Sequence, residues 1–118
     1  MANLHRGEVP LNVGDKTYTL RLGINALCDI ESVLGVESAT VAIQELMGNV
    51  LNARPPMRVL RAVLWAGMSE HHPNVTLKNA GEIIEAISLQ ETVTAVGALI
   101  HASFPKREAG GEGTENPK

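Results

Sequence analysis

The chain has 118 residues, a formal charge of −3 and a pI near 5.8, with 44% apolar, 19% charged and only 3% aromatic residues. That length fits one domain, expected over residues 1–104, and the aromatic poverty asks for a core of Leu, Val, Ile, Ala and Met, which favours helix packing over a β-sandwich. The acidic balance argues against nucleic acid as a main partner, and no stretch approaches the roughly 20 apolar residues that span a bilayer.

One cysteine, Cys28, forms no internal disulfide, and Met1 to Gly7 holds no apolar run of the kind a signal peptide needs, so a reducing cytoplasm is the expected location. Val9, Leu11 and Val13 alternate with polar residues, as do Tyr18, Leu20 and Leu22, and Gly14-Asp15 between them suits a two-residue turn. The pattern predicts a β-hairpin over 8–22. Pro10 has no amide hydrogen, so its position must lie at an edge or remain unpaired.

Everything that follows reads as helix. Asn25 is placed to cap a helix over 26–34 with Leu27, Ile30, Val33 and Leu34 on one face and Gly35 as its stop. Ser38 is the expected cap of a second, over 39–51, with Ala42, Ile43, Leu46, Met47 and Val50 at helical spacing. Pro55 and Pro56 suit the first turn of a third, over 56–69, the most apolar segment. Thr76 caps a fourth, over 77–87, with Leu77, Ala80, Ile83, Ile84 and Ile87 aligned. Ser88 with Glu91 reads as a capping box opening a fifth, over 89–103, whose stripe is Leu89, Val93, Val96 and Ile100. From 105 to 118 no apolar residue follows Ala109, so this tail is expected to be disordered. The fold class is therefore α+β, a hairpin followed by four to five helices, with no internal repeat.

Reactive groupings are few. His71-His72 lacks a Cys or a third His at ligand spacing, so a solvated loop is favoured over a metal site, and no cofactor is indicated. Cys28 has no neighbouring cation in sequence to lower its pKa and reads as a buried, inert thiol. Asp29 with Glu31 and Glu82 with Glu85 read as solvated helix charges. Gly110, Gly111 and Gly113 have no strand before them or helix after them and make no phosphate-binding turn. Asn74-Val75-Thr76 matches a glycosylation acceptor, but Thr76 is better used as a helix cap. No nucleophile, base and orienting group come together, so the chain is expected not to be an enzyme.

The third helix carries the candidate site. At about 100° per residue, Val59, Leu60, Val63, Leu64 and Gly67 share one broad face while Arg58, Arg61 and Trp65 fall together on the other. A second element such as the hairpin or the last helix covers this tryptophan, or else Trp65 flanked by arginines is a partner-binding patch, since both residue types are enriched at interface hot spots.

Asn3-x-x-Arg6-Gly7-Glu8-Val9-x-Leu11, the hairpin Gly14 to Leu22, Asn25-Ala26-Leu27-Cys28-Asp29-Ile30-Glu31, Val63-Leu64-Trp65-Ala66-Gly67-Met68, His71-x-Pro73-Asn74-Val75-Thr76-Leu77 and Ala80-Gly81-Glu82-Ile83-Ile84 resemble gene transfer agent family proteins, which are similar to phage tail assembly chaperones. The likeness runs from Asn3 to about Phe104, although Ser38 to Pro56 carries none of these motifs. It implies a non-enzymatic role in building a phage-like tail, with a tape measure protein and the major tail tube protein as partners. Self-association into a homo-oligomer is compatible with it. The alternative is a minor structural component of the particle, in the tail or in head completion.

Overall fold

The computed structural model describes residues 7–50 and 56–103. It opens with two antiparallel strands, β1 (Val9–Val13) and β2 (Lys16–Leu20). The expected turn joins them, with the left-handed φ of 60° carried by Gly14. The register pairs Val9 with Leu20, Pro10 with Thr19, Leu11 with Tyr18, Asn12 with Thr17 and Val13 with Lys16. Pairs flanking a two-residue loop exchange hydrogen bonds and alternate pairs do not, so Pro10 occupies a position where its missing N–H points away from β2. Val9, Leu11 and Leu20 face the core and are buried.

Five helices follow: α1 (Ile24–Leu34), α2 (Ala39–Val50), α3 (Met57–Ser69), α4 (Leu77–Ile87) and α5 (Leu89–Ser103). The α+β layout read from the sequence is the observed one. The tail expected from 105 onward lies outside the described residues, as does Leu51 at the expected end of the second helix.

Helix starts and faces depart from expectation in specific ways. α1 begins at Ile24, with Gly23 rather than Asn25 at its N-cap and no side chain capping it. Gly35 ends it at φ 68°, as expected. Ala26 and Ile30 are buried, whereas Val33 is 36% exposed. α2 has two caps. The Val41 N–H reaches Ser38 Oγ at 3.3 Å, and the Ala39 N–H donates to Glu31 Oε2 at 2.9 Å. Glu31, expected to be a solvated charge, thus ties the end of α1 to the start of α2, where a carboxylate also meets the positive end of the helix dipole. Pro56 sits at the N-cap of α3 rather than inside its first turn.

In α4, Thr76 Oγ1 accepts the Asn79 N–H at 3.0 Å while Asn79 Oδ1 accepts the Thr76 N–H at 3.1 Å, a reciprocal box with Asn in the position usually held by Glu or Gln. The Ser88–Glu91 box is only half formed. Ser88 Oγ accepts the Glu91 N–H at 3.2 Å, but the Ser88 N–H is already bonded to the Ile84 carbonyl at 2.9 Å and is unavailable to the Glu91 side chain. α4 and α5 meet at a bend of 117°. Among the described residues no single helix is long and apolar enough to cross a membrane, and these two reach that length only as a bent pair. The buried stripe of α5 is Thr92, Val96 and Leu99, with Val93 and Ile100 half-buried beside it and Leu89 39% exposed. Thr92 joins this stripe because its Oγ1 donates to the Ser88 carbonyl at 2.8 Å, which satisfies the hydroxyl without water.

α3 is the centre of the packing. It contacts α1, α2, α4, α5 and β2, and Leu60, Ala62, Val63, Leu64, Ala66, Gly67 and Met68 are all buried. A helix surrounded on most sides cannot show a single narrow stripe, and its small residues let neighbours approach closely. Gly67 is the clearest case: a Cβ there would lie 2.8 Å from Leu99 Cδ2, and its carbonyl accepts the Arg21 N–H at 2.8 Å. β2, α3 and α5 converge on this residue.

Candidate partner-binding surface

Two clusters of polar or exposed groups stand out from this scaffold. The first joins the hairpin to the α3–α4 loop. Nε2 of His72 accepts the Thr19 N–H at 3.0 Å, and the imidazole lies edge-on to Tyr18 with centroids 5.0 Å apart. His71 Nε2 is 3.2 Å from Oε2 of Glu8, whose side chain is 6% exposed. Arg21 Nη1 pairs with Glu70 Oε1 at 2.8 Å. Burial, with the neighbouring His71 as the smaller cause, lowers the His72 pKa below 6.5 and keeps the ring neutral, the state in which Nε2 can accept. The loop is largely exposed, as the solvated reading expects, and His71 is exposed with it, while the half-buried His72 fastens the loop to β2; among the described residues no cluster of His, Cys, Asp or Glu is arranged to hold a metal. Cys28, expected to be buried, is exposed on α1, because the inward face of that helix is set by Ala26 and Ile30.

The second cluster surrounds the N-terminal end of α3. A trough of about 690 Å³ runs between the α1–α2 corner and that helix end, lined by Leu34, Val36, Val41, Ala42, Met57 and Val59, with Glu37 and Glu45 on the α2 side and Arg58 on the α3 side. Val36, Val41 and Met57 are 38%, 58% and 51% exposed, a concentration of uncovered apolar surface. A smaller groove of about 270 Å³ continues from Met57 and Arg58 to Arg61, Gly81, Ile84 and Glu85.

The sequence grouped Arg58, Arg61 and Trp65 on one face. Arg58 and Arg61 do share the smaller groove and are both exposed, but Trp65 lines neither depression. It is half-buried against the core, and its Nε1–H donates to the Val75 carbonyl at 3.1 Å. The loop before α4 meets it through this bond. The trough itself escaped sequence reading. Val36 and Val41 straddle a helix cap and Met57 follows two prolines, so no periodic stripe unites them; the nearest signal was apolar residues left outside every predicted helix face.

Residues 6–106 match the family described as phage tail tube protein, GTA-gp10, a match that runs through Ser38–Pro56, where the sequence motifs gave nothing, and just past the last described residue. No curated protein and no solved structure matches the chain. With 6–106 matched out of 118 residues, the chain belongs to this gene transfer agent and phage tail family and has a tail-related structural role.

Proposed function

We propose that this protein is a non-enzymatic, cytoplasmic tail assembly chaperone that binds the tape measure protein and the major tail tube protein while a phage-like tail is built, and then leaves. The observation that carries the reading is the exposed apolar trough beside Val36, Val41 and Met57. A subunit held permanently in a polymer buries roughly 2,000–5,000 Å² in its obligate contacts and presents broad apolar faces. Here the exposed large apolar residues among those described are Ile24, Val33, Val36, Val41, Met47, Met57 and Leu89, and the trough is where three of them gather. That scale suits a reversible contact, and methionine at its edge adapts to more than one partner shape. Arg58 and Arg61, which line the adjoining groove, are assigned to the same contact region.

A second reading is favoured by the family's description as a tail tube protein, namely that the chain stays in the particle as a minor structural component. Co-expression with the tape measure and tail tube proteins of the same gene cluster, followed by pull-down and by analysis of purified particles, separates the two. Retention of either protein by the chain together with its absence from finished particles is the expected result. Its presence in particles at a fixed stoichiometry establishes the structural component instead, and retention of neither protein removes the chaperone reading.

A further inference from the structure

We infer that the trough between the α1–α2 corner and the start of α3 receives one amphipathic helix from a partner protein, with the helix's apolar stripe in the trough, its basic flank over Glu37 and Glu45, and its acidic flank toward Arg58. This rests on the assembly reading above and specifies the chemistry of its partner.

The shape is the first argument. A volume of about 690 Å³ lies within the roughly 300–1,000 Å³ typical of ligand sites, but the trough is bounded by two helix-bearing walls rather than enclosed, which is the form that accepts a helix laid lengthwise. Its lining supplies apolar contact from Leu34, Val36, Val41, Met57 and Val59. Val41 and Glu45 lie one helical turn apart on α2 and Glu37 comes just before its Ser38 cap, so this side offers an apolar residue with a carboxylate before and after it in sequence. The opposite wall offers Met57 and Val59 with Arg58 between them.

The charges are the second argument. Two carboxylates on one wall and a guanidinium on the other favour an occupant whose flanks carry opposite signs, and they fix its orientation, since the reversed helix would bring like charges together. Such a pattern discriminates between helices of equal hydrophobicity.

A second copy of the chain is a poorer occupant. In a two-fold contact through this surface each trough would face the other, and concave against concave leaves the space unfilled. The chain's own residues 105–118 are no better suited, because they contain no apolar side chain beyond Ala109 to place in it.

The test uses the full-length chain and fluorescent 20-residue peptides that tile the tape measure protein of the same gene cluster, with binding read by anisotropy at low and high salt. The windows that bind are expected to share apolar residues at helical spacing with Lys or Arg along one flank. Val41→Glu and Met57→Glu, both at exposed positions and verified as folded by circular dichroism, are expected to weaken binding at least tenfold. Glu37→Lys is expected to weaken it several-fold at low salt and much less at high salt, while Leu89→Glu on α5, away from the trough, leaves it unchanged. Equal binding by wild type, Val41→Glu and Met57→Glu overturns the inference, as does binding by windows without the stripe, by no window at all, or a wild-type dimer that Met57→Glu converts to monomer. If any of these occurs while wild type still retains the whole tape measure protein, the trough is wrong and the assembly role stands; if wild type retains neither tail protein, the assembly role fails as well.

Discussion

Nε2 of His72 accepts the backbone N–H of Thr19 at 3.0 Å, joining two positions 53 residues apart. Because burial holds the His72 pKa below 6.5, the folded state binds fewer protons than the unfolded chain just below that pH. The contribution is therefore fully present above pH 6.5 and is lost as pH falls from there toward the folded pKa. Protonation also removes the acceptor, so the Thr19 N–H loses its partner. Tyr18 and His71 are the ring neighbours, and Glu8 lies beyond His71, so other groups titrate nearby. His72→Gln, which keeps an acceptor but does not titrate, isolates the effect. Urea unfolding at pH 7.5 and pH 5 is expected to show wild type losing more stability than His72→Gln; equal losses would assign the pH dependence elsewhere.

Gly67 is fixed by its neighbour Leu99 rather than by its backbone angles. Replacing glycine with alanine inside a helix ordinarily gains up to about 1 kcal/mol. Here the added Cβ meets Leu99 Cδ2 at 2.8 Å, and Leu99 is fully buried, so overpacking of roughly 1–3 kcal/mol outweighs that gain. Gly67→Ala is expected to destabilise by about 1 kcal/mol. In a Leu99→Ala background the same change is expected to be neutral or stabilising, and a double-mutant cycle with no coupling would show that the clash is not the cause.

These two contacts mark the boundary of what the sequence discloses. The hairpin and the helices were legible because alternation at Val9, Leu11 and Val13, and caps such as Ser38 and Thr76, are local signals. The faces of α1 and α5 were only partly legible. Val33 and Leu89 fit their stripes by spacing, yet remain 36% and 39% exposed, and Thr92 is buried because a hydroxyl that bonds its own helix no longer needs water. The docking of His71 and His72 on the hairpin, the use of Glu31 as a cap for α2, and the trough at Met57 all depend on residues distant in sequence or lying across a break between helices. Arg58 and Arg61 were legible as exposed charges from the wheel of α3, while the bond from Trp65 to the Val75 carbonyl reaches a loop that has no periodicity to read.

Ser88 joins α4 to α5 at φ 97° and ψ 155°, a region that residues other than glycine rarely occupy and that costs of order 1–3 kcal/mol. Its Oγ offsets part of that by accepting the Glu91 N–H. Glycine relieves the strain and serves as an N-cap at a loss of only a few tenths of a kcal/mol. Ser88→Gly is thus expected to stabilise by about 0.5–1 kcal/mol, whereas Ser88→Ala keeps the strain, loses the cap and destabilises by about 1 kcal/mol. Thermal unfolding of the two variants beside wild type checks the order; Ser88→Gly falling below Ser88→Ala would refute the account.

Trp65 provides the sharpest separation between a residue that holds the fold and one that meets a partner. Its Nε1–H donates to the Val75 carbonyl, and its ring packs on the core beneath the loop that leads into α4. Trp65→Phe keeps an aromatic ring in place but removes the donor, leaving a partly buried carbonyl without that bond, at an expected cost of about 1 kcal/mol. Because Trp65 lines neither the trough nor the smaller groove, the folded Phe variant is expected to retain the tape measure protein in pull-down as wild type does. Arg58→Glu, at an exposed position lining both depressions, is expected to lose it with no change in thermal stability beyond about 0.5 kcal/mol. If instead the folded Trp65→Phe loses the partner while Arg58→Glu keeps it, the indole itself makes the contact and the binding surface lies at the C-terminal half of α3.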